Sequence, residues 1–150
     1  MAGSKHAAMA RAAARGLVGA MAMTGTRRVT QSLGLLEQTP PQQVVGDAQP
    51  ASRLSREQRA VVTELAHWAY GAGAGAVFGA LPDRARARSA AGPAYGLAIW
   101  LVFELGIAPL LDVDYARERR VVGRAMVALD HVLYGLVVGG RVAREQTTDR

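Results

Sequence analysis

The sequence contains no cysteine, a single lysine and few aromatic residues. Without cysteine, disulfides, thiolate chemistry and cysteine-ligated metal sites are excluded. The formal net charge is +6, but the arginines cluster between apolar runs and form no basic stripe with aromatic or polar readers beside it. We therefore expect no nucleic-acid partner. No segment alternates apolar and polar residues with a period of two, so no strand is predicted.

Long apolar runs bounded by charged residues make up much of the chain, whose 150 residues suit a single domain, 1–150. Two runs, Ala60–Pro82 and Ser89–Leu111, contain 23 residues each. As helices they would measure about 34 Å, against an apolar bilayer core of about 30 Å. Ala125–Gly140 is shorter, and the weakest run, Ala12–Thr26, needs a helical continuation to cross. These lengths favour membrane spans over a soluble, basic helical bundle, and over a cleaved signal peptide for the first run.

Helix boundaries follow from local signals. Ser55 and Gln58 have the spacing of a capping box, and the prolines before them break any earlier helix. Short connections between the later helices make them antiparallel neighbours. The sequence predicts an all-α, four-helix up-down membrane bundle with helices at about 7–36, 56–82, 89–111 and 119–144.

The orientation of this bundle in a membrane is not indicated by its basic residues. With four spans, the N-terminus, the second loop and the C-terminus share one side and hold nine basic residues. The other side also holds nine, so the positive-inside rule gives a tie.

Ionisable groups inside the predicted spans fall in one half of the bilayer. The motif His-x-x-Tyr-Gly occurs twice, starting at His67 and His131, each time with an acid close by. The second span starts, the third ends and the fourth starts on the same side, so their polar residues come to a similar depth. The predicted polar cluster consists of Glu64, His67, Tyr70, Glu104, Asp130, His131 and Tyr134.

Glycines continue the histidine faces at intervals of four residues. Small residues with this spacing allow helix backbones to approach closely, as in membrane helix pairs. We expect helix-packing roles for Gly71, Gly75, Gly79, Gly135 and Gly139.

Three functions are compatible with the cluster. The leading hypothesis is a structural or interaction role, in which paired polar groups lock the helices together. The second is proton or ion handling, because intramembrane ionisable residues are default functional candidates. The third is a metal or haem protein, since Glu64 and His67 have the Glu-x-x-His spacing of di-iron bundles and the two histidines suit axial ligation. No catalytic triad can be built, and neither an enzyme activity nor a cofactor is predicted.

Several segments together resemble the YagU-like group of small bacterial membrane proteins, a domain family of unknown function. They are "GLVGAMAMTG", "LGLLEQTPP", "LAHWAYGAGAGAVFGAL", "GPAYGLAIWLVFELGIAPLL" and "LDHVLYGLVVGG". The resemblance covers most of Gly16 to Gly140 and implies an integral membrane protein with about four helices. It directs attention to His67, Tyr70 and Gly71 and to the matching His131, Tyr134 and Gly135. It implies no reaction. We expect a multi-pass protein of the cell membrane, with the lipid bilayer and a second copy or another membrane protein as partners.

Overall fold

The computed structural model describes residues 2–34, 54–110 and 121–140. Every regular element within these ranges is helical and none is a strand, which confirms the all-α class for this part of the chain. The elements, in chain order, are α1 (Ala2–Ser32), α2 (Arg56–Ala80), α3 (Asp83–Arg86), α4 (Ala91–Val102), a π-helical turn (Phe103–Ile107), α5 (Ala108–Leu110) and α6 (Val121–Val138).

Local sequence accounts for most of the helix ends. The capping box predicted at the start of α2 is confirmed: Ser55 Oγ accepts from Gln58 N, and Gln58 Oε1 accepts from Ser55 N. Leu81 leaves the helical region just before Pro82, which disfavours helical geometry in the residue that precedes it. Gly34 and Gly140 adopt left-handed φ values of 68° and 69° beyond the ends of α1 and α6, a conformation that favours glycine.

The observed bounds differ from the prediction in four places. The first helix begins at Ala2 instead of about residue 7, because the alanine-rich start is itself a good helix former. It ends at Ser32 instead of about residue 36, because Gly34 adopts a left-handed conformation. The predicted loop 83–88 contains the short helix α3, for which Pro82 is the N-cap. The third helix is not uniformly α-helical but passes through the π-helical turn. The predicted loop 112–120 and the predicted helix residues 141–144 lie outside the described residues.

The longer helices pack in antiparallel pairs. Helix α1 packs along α2, with Thr24 opposite Glu64 at one end and Met9 opposite Gly79 at the other. Helix α6 packs along α4 and also contacts α1. The hydroxyl of Tyr95 in α4 donates to the carbonyl of Ala74 in α2, over 2.7 Å.

Small and polar residues occupy most of the interior, and large apolar residues lie largely outside. Four buried residues, Met23, Phe78, Tyr134 and Val138, form the apolar core cluster. The other buried hydrophobic residues are three alanines and Val127, whereas Thr24, Thr63, Arg27, Glu104 and Asp130 are buried polar or charged residues. Valines and leucines on α1, α2, α4 and α6 are exposed.

Among the described helices, α6 is long and apolar enough to cross a membrane by its length and composition. The apolar stretch Ala91–Ile107 is shorter. The other two predicted spans, in α1 and α2, do not meet this criterion.

Candidate functional site

Arg27 lies at the centre of a buried polar cluster formed where the end of α1 meets α2 and α6. The side chain is 7% exposed. Its Nε donates to the carbonyl of Met23, one turn earlier in α1, over 3.1 Å. Its charge attracts the carboxylates of both Glu64 and Asp130. A buried guanidinium is thereby held between two acids from different helices, which offsets the cost of removing its charge from water.

The hydroxyl group of Thr24 joins α1 to α2 and uses all of its hydrogen-bonding capacity. Its Oγ1 donates to Glu64 Oε2 over 2.7 Å and accepts from Arg27 Nη2 and from Trp68 Nε1, each over 3.2 Å. One donated and two accepted bonds use the full capacity of a hydroxyl group. Thr24 therefore holds Glu64 and Arg27 in fixed positions relative to each other.

Asp130 of α6 makes the corresponding link to α1 through another threonine. The Oγ1 atom of Thr26 donates to Asp130 Oδ1 over 2.8 Å. Asp130 is buried, and Arg27 is the cation that acts on it. Residues Thr24, Thr26 and Arg27 thus contact both neighbouring helices from a single turn of α1.

The contacts of His67 show that its ring is neutral. Arg27 Nη2 lies 2.9 Å from His67 Nδ1 and 3.4 Å from His67 Nε2. A guanidinium has no acceptor, so the ring nitrogen that it bonds to must accept, and the ring does not carry both protons. In His131, Nδ1 lies 2.8 Å from the carbonyl of Val127, which can only accept. In a neutral His131 the proton is therefore on Nδ1, and Nε2 has the lone pair.

Both histidines line one small cavity near the middle of the helices. Its volume is about 20 Å³, and Tyr70, Gly71 and Tyr134 also line it. This space is far below the roughly 300–1,000 Å³ of typical ligand pockets, so a haem does not fit between these histidines as they stand. Within the described ranges, no three His, Asp or Glu side chains are arranged to hold a metal ion.

Glu104 lies apart from the cluster around Arg27. It occurs in the π-helical turn, is 5% exposed and forms an ion pair with Arg124 of α6. Neither of its carboxylate oxygens has a hydrogen-bond partner in the described part of the chain. Glu104 and Arg124 therefore interact through their charges. This interaction links α6 to the end of α4 and does not involve α1.

The two His-x-x-Tyr-Gly motifs are not equivalent in three dimensions. Tyr134 is buried and donates to the carbonyl of Gly71 over 2.6 Å, whereas Tyr70 is 50% exposed. We expected the acids to bond to the histidines, to Tyr70 and Tyr134 and to arginines. Among the described residues, Glu104 pairs with an arginine as expected, whereas Glu64 and Asp130 accept from threonines of α1 and not from histidines or tyrosines.

The predicted packing glycines all lie at helix contacts. Gly71, Gly75 and Gly79 face α1, where an added Cβ would overlap its backbone or Ala20 Cβ. Gly135 faces Gly92 and Gly96 of α4. A Cβ added at Gly139 would lie 3.4 Å from the Cα of Gly92.

Sequence reasoning missed the contribution of α1. Its contact residues recur every four positions and were readable in the sequence as Ala8, Ala12, Gly16, Ala20 and Thr24. The interruption at Arg15 and the low hydropathy of α1 hid this pattern. Arg27 was not among the residues of the predicted polar cluster, whereas the structure places it inside the buried cluster.

Known proteins give no guide to the function of this chain. No protein-family model, no curated protein and no solved structure matches the sequence or the fold. What the protein does must therefore be inferred from the polar cluster and from the distribution of its apolar side chains.

Proposed function

We propose that this chain is a multi-pass helical protein of the cell membrane, in which a buried polar cluster fastens four helices into an up-down bundle. The four helices are α1, α2, α4 with its continuation to Leu110, and α6. The role is structural or an interaction with other membrane components, without catalysis.

The observation that supports this proposal most strongly is the inverted distribution of apolar side chains. Val18, Val77, Leu101 and Leu133 are each at least 44% exposed and represent all four helices. A water-soluble bundle of this size would bury such residues, since large exposed apolar patches are rare on soluble monomers. In a bilayer the same residues face lipid, and small residues at the helix contacts provide close packing.

The placement of charge is consistent with lipid around the helices. Arg27, Glu104 and Asp130 are buried within the protein, and each has an opposite charge nearby. Charged residues inside membrane proteins face the bundle interior and pair with one another. Such pairs also join helices where the hydrophobic effect gives no driving force.

Cysteine accessibility tests the membrane location on this naturally cysteine-free chain. Single variants V77C, L101C and L133C place a thiol on the exposed apolar surface, and S89C places one in the exposed connection before α4. A charged, water-soluble maleimide is supplied to both sides of vesicles containing the protein. We expect S89C to react and the other three to react only after denaturation in detergent.

The comparison of S89C with the other three variants distinguishes a lipid-facing surface from a water-facing one. All four positions are exposed in the structure, so a soluble protein would label at all of them. Labelling of V77C, L101C and L133C at the rate of S89C, in the folded chain, would overturn the membrane proposal.

Proton handling is a second candidate, favoured by the two histidines at one cavity. His67 and His131 line the same cavity, and a neutral His131, with its Nδ1 proton on the carbonyl of Val127, has a lone pair on Nε2 that is able to accept a proton. Proteoliposomes with a pH-sensitive dye inside provide the test. We expect H131Q to abolish proton flux at unchanged protein abundance. Wild-type flux no greater than that of protein-free liposomes would rule this candidate out.

Membership of the YagU-like group is likewise proposed on the resemblance of the motifs. Self-association or a membrane-protein partner would use the same exposed apolar faces that contact lipid.

A further inference from the structure

A second polar feature lies at the opposite end of the helices from the Arg27 cluster. It is an open pocket of about 410 Å³ between the first half of α1, the short helix α3 and the end of α6. Ala8, Ala12, Phe78 and Val138 are its main apolar lining residues. Its volume lies within the roughly 300–1,000 Å³ typical of small-ligand pockets.

Three arginines and one acid provide the charge of this pocket. Arg11 and Arg15 are four residues apart and so lie on the same face of α1, while Arg86 comes from α3. The acid, Asp83, forms an ion pair with Arg86. No hydrogen bond or ion pair joins Arg11 or Arg15 to another residue in the described part of the chain, so both guanidinium groups are available there to an anion.

Two contacts hold the arginines at the pocket. Arg86 Nε donates to the carbonyl of Leu81 over 3.0 Å, which fixes the base of its guanidinium. The Arg15 guanidinium lies against Gly140, where its Cζ is 2.7 Å from the position that a Cβ would occupy. Gly140 has a φ of 69°, so the chain turns there without a side chain that would displace Arg15.

We propose that this pocket binds the phosphate group of an anionic ligand. The planar guanidinium fork matches phosphate oxygens in two-bond geometry, and arginine is the residue most often used for this recognition. The apolar lining adjoins the arginines and suits the carbon skeleton of a phosphate ester. The phosphate can come from an anionic phospholipid headgroup or from a phosphorylated solute. The lipid source depends on the membrane location proposed above, whereas the solute source does not.

The test compares two double variants that remove the same charge from the same end of the molecule. R11Q/R15Q removes the two unpaired arginines of the pocket. R84Q/R88Q, the control, removes two exposed arginines that do not line it. R11K/R15K keeps the charge and loses the fork. Each protein is placed in nanodiscs of phosphatidylcholine alone and titrated with pyrophosphate by calorimetry. Each is also placed in nanodiscs that contain phosphatidylglycerol, and retained lipid is identified by native mass spectrometry.

We expect saturable binding of pyrophosphate, preferential retention of phosphatidylglycerol, or both. R11Q/R15Q should weaken this binding by about tenfold or more per arginine, because hydrogen bonds to charged groups are strong. R11K/R15K should show an intermediate loss, and R84Q/R88Q should stay within about twofold of wild type, as exposed charges contribute little.

The pyrophosphate titration and the lipid measurement together identify the source of the phosphate group. They also give the results that would overturn the proposal. Pyrophosphate binding without lipid preference assigns a soluble ligand, and lipid preference without pyrophosphate binding assigns a headgroup. Absence of both overturns the proposal, as does an equal loss in R11Q/R15Q and R84Q/R88Q. Circular dichroism of each variant establishes that helix content is unchanged. If the chain does not insert into nanodiscs, the same pyrophosphate titration is made on the protein in aqueous buffer, so failure of the membrane proposal leaves this measurement interpretable.

Discussion

Replacement of Arg27 by methionine tests whether the polar cluster holds the helices together. Methionine keeps an unbranched, flexible apolar stem in place of the arginine stem but removes the charge and the donors. The substitution breaks the bonds from Arg27 to Met23, Thr24 and His67. It also removes the cation that acts on Glu64 and Asp130.

The loss of hydrogen bonds is the smaller part of the expected effect. The bond to His67 joins two helices, and such bonds in membranes average about 0.6 kcal/mol. The bonds to Met23 and Thr24 lie within α1 and add about 0.5–1 kcal/mol each, so the three together amount to roughly 2 kcal/mol. Leaving a buried charge without its partner costs about 3–5 kcal/mol. The uncompensated carboxylates therefore dominate. A loss of about 3–5 kcal/mol lowers Tm by about 6–20 °C for a chain of this length.

The assay is thermal unfolding in detergent micelles, followed by circular dichroism. R28M is the matched control, because Arg28 is the next residue along α1 and is exposed. It should change the free energy of unfolding by no more than about 0.5 kcal/mol. The triple variant R27M/E64Q/D130N removes both carboxylate charges as well and should recover most of the stability, since a neutral replacement of a buried ion pair is often tolerated.

Two results would refute this reasoning. Equal Tm values for R27M and R28M would mean that the buried arginine does not stabilise the fold. A triple variant no more stable than R27M would assign the loss to packing, and the electrostatic account of the cluster would be wrong.

Two further predictions use matched pairs within the helices. G75A should destabilise the protein by about 1–3 kcal/mol, because the added methyl group overlaps the backbone of α1. G73A, which has open space around its new methyl group, should instead stabilise α2 by about 0.5–1 kcal/mol; equal shifts in Tm would contradict this packing. Y134F should cost about 1 kcal/mol through loss of the bond to Gly71, and Y70F, at the matching position of the other motif, should cost less than half of that. The reverse order of Y134F and Y70F in chemical unfolding would show that the buried hydroxyl does not stabilise the helices.

Several parts of the fold could be predicted because their signals are local. The capping box at Ser55 depends on residues three apart, and the contact glycines of α2 and α6 recur with the helical period. Helix α1 was harder to delimit. Its small residues also recur every four positions, but Arg15 lies among them and interrupts the apolar run. Arg15 lines the arginine pocket because the end of α6 approaches α1 there.

Chain order and helical periodicity were enough to indicate helices, to exclude cysteine chemistry and to collect His67, Asp130 and His131 at similar depth. All three conclusions follow from composition and from the rise per residue of a helix, and none depends on how the helices pack. The partners of those groups depend on which helices become neighbours and how each is rotated. Thr24, Thr26 and Arg27 are forty or more residues distant from the groups they bind in the other helices, so no local pattern pairs them. Close approach of glycine faces brings α1 between α2 and α6, and that approach turns three ordinary α1 side chains into the centre of the cluster.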